Sequence, residues 1–370
     1  MRRYKTYING EWFEGTSGIV LRSVDPSNNK ELGEIVQNSK EDVEYAIESA
    51  SRSFYKTREW RDLDVQQRSD KLLKIADMIE SEIDEIAKTE SMDNGKPLRE
   101  AQADVDDAVH CFRYYAGLIR TPSGQTYNVN SNFGNMHSYT VKEPVGVCAL
   151  ITPWNFPFLM SVWKIAPALA AGNSIIFKPS SETVLSALKL FEILDKCDLP
   201  KGTANLVIGS GSTVGNLLAE SKKVDMITFT GSTSVGQGIM RAAVGNVKKI
   251  GLELGGKSPN IVFADTDIEK TVEWVMMGIF LNQGEVCCAG SRLIIEKSIK
   301  DKFLKKLVER TDKLTLGAPL DNPDMGPLIS KKHMQDVLGY IEKGKAEGAK
   351  LLCGGYKCTD DDLVNGNFIK

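Results

Sequence analysis

The sequence predicts an α/β protein built on a Rossmann-like, doubly covered parallel sheet, with a second α/β domain after it and a small β-hairpin set apart from both. Three observations carry that expectation. From Val145 onward, short β-branched runs (VGVCALIT, NSIIFK, ANLVIG, DMITFT, KKIGLEL, PNIVF) alternate with helical stretches, the pattern of a parallel sheet buried on both faces. Residues 40–119 carry apolar side chains at three- and four-residue spacing between charges, the pattern of amphipathic helices. At 370 residues the chain exceeds one ordinary core.

In order along the chain, the helical patterns run over residues 41–55 and 66–89, with Leu72, Ile75, Ile79, Ile83 and Ile86 forming one apolar stripe. Residues 122–143 are rich in Ser, Asn, Gly and Thr and read as an exposed hairpin or a loop. Helices are expected over 158–171, 183–197, 212–219, 234–243 and 268–281, each following a strand or a strand-like run.

Composition excludes several functions. The 46 basic and 49 acidic side chains are dispersed, giving a net charge of -3, and no basic block exists to neutralise a phosphate backbone, so no nucleic-acid partner is expected. The most apolar stretch, Val145 to Gly172, is broken by Pro153, Asn155, Pro157, Lys164 and Pro167, which argues against a membrane span. No signal-peptide apolar core follows the first residues, and seven irregularly spaced cysteines suit free thiols in a reducing compartment, so a cytoplasmic location is expected. Cys353 and Cys358 lack a second ligand pair, and no metal is expected.

Ligands of such sheets bind beyond the carboxyl ends of the strands, so the chemistry is sought there. After VGVCALIT comes PWNFP, whose Asn155 amide either donates to a developing oxyanion or caps the next helix. After NSIIF comes Lys178, which either binds a ribose or phosphate or is a surface lysine. Glycine turns at 209–215 and 231–236 suit backbone approach to a phosphate, or are simply tight strand-to-helix turns. Glu253, ending an apolar strand, reads as a buried general base or as a lysine's ion-pair partner. Cys287 and Cys288 lie after a Gly-containing turn, where a cysteine is a candidate nucleophile, whereas Cys111, Cys148 and Cys197 read as inert small hydrophobes. The three histidines, His110, His137 and His333, stand far from these turns in sequence, leaving Glu253 as the candidate base.

Taken together, PWNFP, FKPS, FTGSTSVG, LELGGKSPN and GEVCCAGSR resemble, in this order and spacing, the NAD(P)-dependent aldehyde dehydrogenase superfamily, most of all its bacterial betaine-aldehyde-type members. The resemblance runs from about Tyr7 to the last residue. It implies that Cys287 attacks an aldehyde carbon, Asn155 stabilises the oxyanion and Glu253 activates the water that hydrolyses a thioester to the acid. It also implies NAD or NADP contacts by Ile151, Thr152, Trp154, Lys178, Ser181, Gly211, Gly231, Ser232, Gly236 and Leu254, with Lys178 next to the catalytic group as well, and an aldehyde passage lined by Phe156 and Trp163.

The resemblance implies that residues 1–121 with 144–252 form the cofactor-binding domain, 253–370 the catalytic domain, and 122–143 a hairpin that serves a homodimer or homotetramer. Two departures follow. Ser181 stands where many NAD-preferring members carry a glutamate, implying tolerance of NADP. The family's further catalytic strands have no counterpart after Lys370, implying an incomplete second domain with an unpaired sheet edge and exposed apolar surface. Two other readings remain at this point: a nucleotide-binding protein impaired in turnover, and an enzyme passing its acyl group to coenzyme A, against which Glu253 argues.

Overall fold

The computed structural model describes residues 2–360 and 362–370. Its main sheet has seven strands. Five are parallel, in the spatial order Lys249–Leu254, Met226–Gly231, Val147–Ile151, Ser174–Lys178, Ala204–Leu206. Two short strands that the sequence pattern did not announce, Thr6–Ile8 and Glu11–Phe13, extend it by antiparallel pairing on the Ala204–Leu206 side. A separate three-stranded sheet, Arg3–Tyr4, Lys30–Val36 and Val20–Asp25, completes the N-terminal region.

The alternation of strand residues decides how the sheet is covered. Cys148, Leu150, Ile175 and Phe177 pack into one core with helices Val65–Ser81, Leu98–Leu118, Pro157–Ala170 and Leu185–Lys196. Val147, Ala149, Ile151, Ile176, Ile227 and Phe229 point the other way, into a core shared with Lys40–Arg52, Asn216–Glu220 and Thr233–Ala243. Both faces are therefore buried, as continuous β-branched runs require.

Strand order places the topological switch beside Val147–Ile151. The chain leaves that strand towards Ser174–Lys178 on one side and later returns to Met226–Gly231 on the other. A crevice at the carboxyl ends of these two strands follows from that geometry.

The predicted hairpin pairs Thr126–Ser131 with Gly134–Tyr139, and every residue of both strands is exposed. Phe133 at its tip is 96% exposed. Beyond residue 254 a smaller parallel pair, Pro259–Val262 with Arg292–Ile295, packs on Ile268–Phe280 and Lys300–Thr311 through Val262, Val272, Val275, Met276 and Phe303. Ile261 and Ile294 of this pair stay more than half exposed, as expected for a small sheet with an uncovered face. Strand Lys249–Leu254 straddles the 252/253 boundary drawn from the sequence. Among the described residues no helix is long and apolar enough to cross a membrane, and no group of His, Cys, Asp or Glu could hold a metal ion.

Candidate active site

The loop that follows Val147–Ile151 is stiffened by Pro153 and Pro157, the latter starting helix Pro157–Ala170. Asn155 does not cap this helix; the cap position is Phe156, with no side-chain bond. The Asn155 amide instead donates through Nδ2 to the Glu285 carbonyl at 2.7 Å, two residues before Cys287. A carboxamide carries two N–H donors, so one stays free for a further acceptor. The capping alternative is thereby removed.

The strand end at Glu253 reaches the same place. Gly256 N donates to the Cys287 carbonyl at 3.0 Å, tying ELGG to the cysteine loop. Helix Pro157–Ala170 leaves part of the sheet uncovered, and there a cavity of about 640 Å³ opens. Met160, Trp163, Lys164, Thr230, Glu253 and Cys287 all border it.

Glu253 departs from expectation. It is exposed rather than buried, because Lys249–Leu254 is the edge strand of the sheet. Its neighbour Lys164 is half-buried, and its ammonium is pushed down to about 8 by desolvation, partly offset by the Glu253 charge. The Cys287 side chain lies at the surface, and its thiol is raised by partial desolvation and by the adjacent Cys288. Burial lifts Cys148 to about 12 and Cys111 to about 11, in keeping with inert thiols.

Phe156 is not among the residues bordering the cavity. Its ring carries the Lys96 ammonium 4.3 Å from the centroid. Lys96 is fully buried between Glu90 Oε1 at 3.3 Å and Asp104 Oδ2 at 2.5 Å, and Glu90 also accepts from Phe158 N at 3.0 Å. This buried ionic cluster props the start of the helix beneath the site.

At the switch point, Ile151 and Thr152 are buried and Lys178 is 4% exposed, so the surface-lysine reading fails. The Lys178 ammonium donates to the Pro179 carbonyl at 3.0 Å and is depressed to about 8 by desolvation. The hydroxyls of Thr152 and Thr230 are buried without a partner at the ends of adjacent strands. Ser181 is partly buried and Glu182 exposed beyond them.

The glycines divide into two kinds. A Cβ on Gly231 would run into the Phe229 ring, and one on Gly236 would meet Leu254 Cδ2 at 2.9 Å, so packing alone requires both. Gly211 faces open space, with nothing within 4 Å of where a Cβ would stand. Ser232 caps Thr233–Ala243.

One residue that sequence distance set aside is present. His333 stacks edge-on against Trp154 with centroids 5.1 Å apart, and its Nε2 lies 3.6 Å from Glu285 Oε1. Helix Lys331–Ala346 delivers it, and no local motif marks it. Glu285 is the second such residue: desolvation drives its carboxyl up to about 8, against the Ile329 N–H that it accepts at 3.0 Å.

The aldehyde dehydrogenase family model matches residues 12–370. Betaine aldehyde dehydrogenase of Bacillus subtilis is 46% identical over 365 residues, which is 98% of this chain and 74% of that protein. The human mitochondrial aldehyde dehydrogenase is 41% identical over 98% of this chain and 70% of its own length. Among solved structures, betaine aldehyde dehydrogenase from Staphylococcus aureus in complex with NAD+ superposes with a TM-score of 0.95 at 41% identity, covering 99% of this chain and 72% of that one. With Glu253 and Cys287 at one cavity and the match running from residue 12 to the last, the chain is an oxidoreductase of the aldehyde dehydrogenase family.

Proposed function

We propose that the protein oxidises an aldehyde to a carboxylic acid through a Cys287 thiohemiacetal and thioester, using NAD or NADP. The observation that carries this reading is the convergence of three separate segments: the Asn155 amide on the Glu285 carbonyl, Gly256 on the Cys287 carbonyl, and Glu253 with Cys287 at one cavity.

The steps follow from those positions. Cys287 gives up its proton to solvent water as its sulfur bonds to the carbonyl carbon. The carbonyl oxygen becomes an oxyanion, and the second Asn155 N–H stabilises it. When bound, the nicotinamide supplies the acceptor for the hydride released from carbon, which leaves a thioester on Cys287. Glu253, open to solvent at the cavity, takes a proton from the water that attacks this thioester; the C–S bond then breaks, the acid leaves, and Glu253 returns the proton to the Cys287 thiolate. A glutamate acting on water favours hydrolysis over acyl transfer to coenzyme A. Trp163 borders the aldehyde's path, and Phe156 shapes it from behind through the loop that it anchors.

The chain's own features fit the cofactor. Lys178 is buried with one carbonyl partner and keeps donors for a ribose hydroxyl. Thr152 and Thr230 offer unpartnered hydroxyls at the switch point, and Gly211 leaves open space beside its turn. Ile151, Trp154, Ser181, Gly231, Ser232, Gly236 and Leu254 complete the surface assigned to it.

The domain division, with residues 1–121 and 144–252 holding the cofactor and 253–370 the nucleophile, belongs to the same reading. So do a cytoplasmic location and assembly as a homodimer or homotetramer through the exposed hairpin. The test is nicotinamide reduction by the purified chain with a short aldehyde. Turnover by the wild type and none by Cys287→Ala supports the proposal; cofactor binding without turnover supports the impaired nucleotide-binding reading.

A further inference from the structure

Past helix Ile268–Phe280 the backbone does something unusual. Asn282, Gln283 and Gly284 all take left-handed conformations, with φ of 48°, 57° and 78°. Two consecutive side-chain-bearing residues in that region are uncommon and persist only where surroundings impose them.

Asn282 shows what imposes it. It is fully buried, and its N–H donates to Glu100 Oε2 at 2.9 Å. Its Nδ2 donates to the Asn155 carbonyl at 2.8 Å and to the Glu285 carbonyl at 3.3 Å. Those two residues are the two ends of the Asn155-to-Glu285 hydrogen bond. The PWNFP loop is held a second time by Asn94 Nδ2, which donates to the Trp154 carbonyl at 2.9 Å. One buried amide thus joins the main chain of the oxyanion donor to the main chain of the nucleophile loop.

We infer that Asn282 is a positioning residue that sets where the free N–H of Asn155 points relative to Cys287. The inference rests on the thioester mechanism proposed above. Because the Asn155 side chain is pinned on the Glu285 carbonyl, the direction of its second hydrogen depends on where that carbonyl lies. Asn282 fixes that carbonyl and the Asn155 backbone together, and it touches neither aldehyde nor cofactor.

The test uses the whole chain in five forms: wild type, Asn282→Gly, Asn282→Asp, Asn155→Ala and the double variant Asn155→Ala/Asn282→Gly. Glycine keeps the left-handed backbone and removes the amide. Aspartate keeps the shape and sets an acceptor against two carbonyl oxygens, so it reports even if the glycine variant folds poorly. The expected result is a fall in kcat of roughly tenfold or more for both, approaching the loss from an absent oxyanion donor, with KM for aldehyde changed by less than about threefold. In the Asn155→Ala background, Asn282→Gly should add less than about twofold, because its effect passes through Asn155. Wild-type kcat in Asn282→Gly, or an equal fold-loss with and without Asn155, overturns the inference while leaving the proposed function standing. An inactive wild type overturns both.

Discussion

Replacing Lys96 by methionine isolates the buried cluster that supports the PWNFP loop. Lys96 is fully buried, held by Glu90 and Asp104, and capped by the Phe156 ring. Burial pulls its ammonium down, but the two carboxylates outweigh that and raise it. Desolvation raises both Glu90 and Asp104 even with the lysine present. Methionine fills a similar volume and leaves two carboxyl groups without their cation, a change that costs about 3–5 kcal/mol when one member of a buried pair is removed. The sign of the pH dependence follows. With folded-state values raised above unfolded ones, the carboxyls are most easily accommodated at low pH, and the loss grows as pH rises through their folded-state values.

Urea unfolding of wild type and Lys96→Met at pH 5 and pH 8 reads this directly, with a larger loss at pH 8. The triple change Lys96→Met, Glu90→Gln, Asp104→Asn should recover most of the loss, since the amide introduced by Glu90→Gln keeps an oxygen to accept the Phe158 N–H. A loss below about 1 kcal/mol, the size of an exposed ion pair, or one independent of pH would refute the reasoning.

Three further substitutions probe other parts of the molecule. Glu285→Gln should remove a slope of about 1.4 kcal/mol per pH unit between the unfolded carboxyl value and about 8, where wild-type stability falls as pH rises; unchanged slopes would contradict burial of that carboxyl. Ser181→Glu should raise KM for NADP at least about tenfold while sparing NAD, since under the proposed cofactor contact a carboxylate there would face a 2′-phosphate; equal effects on both would remove the residue from that contact. Gly236→Ala should cost roughly 1–3 kcal/mol in thermal unfolding, because its methyl meets Leu254 Cδ2 at 2.9 Å, whereas Gly211→Ala should cost less.

The parallel sheet was legible because a strand buried on both faces must be apolar throughout, and VGVCALI and SIIFK are. The short strands Thr6–Ile8 and Glu11–Phe13 were not, since three residues carry too little periodicity to read. At the site, Asn155, Lys178 and the Cys287–Cys288 pair stood out as candidates because each follows a strand or a glycine turn, and only the family resemblance separated Cys287 from Cys288. His333 could not, because it reaches Trp154 from a helix far down the chain. Nothing in the sequence pattern singles out Glu90, Lys96 and Asp104, and only the fold reveals that they neutralise one another inside. The burial expected of Glu253 failed for a related reason: an apolar strand does not announce that it lies at the sheet's edge.

Where the acyl group resides is the most direct test of the proposed chemistry. A Glu253→Gln variant mixed with aldehyde and oxidised cofactor, quenched within a turnover and digested, allows the mass of the peptide bearing Cys287 and Cys288 to be measured. The thioester mechanism predicts a burst of reduced nicotinamide and an acyl group on Cys287, lost when Cys287 is alanine and retained when Cys288 is. An acyl group on Cys288, or a burst with no acylated cysteine, would contradict it.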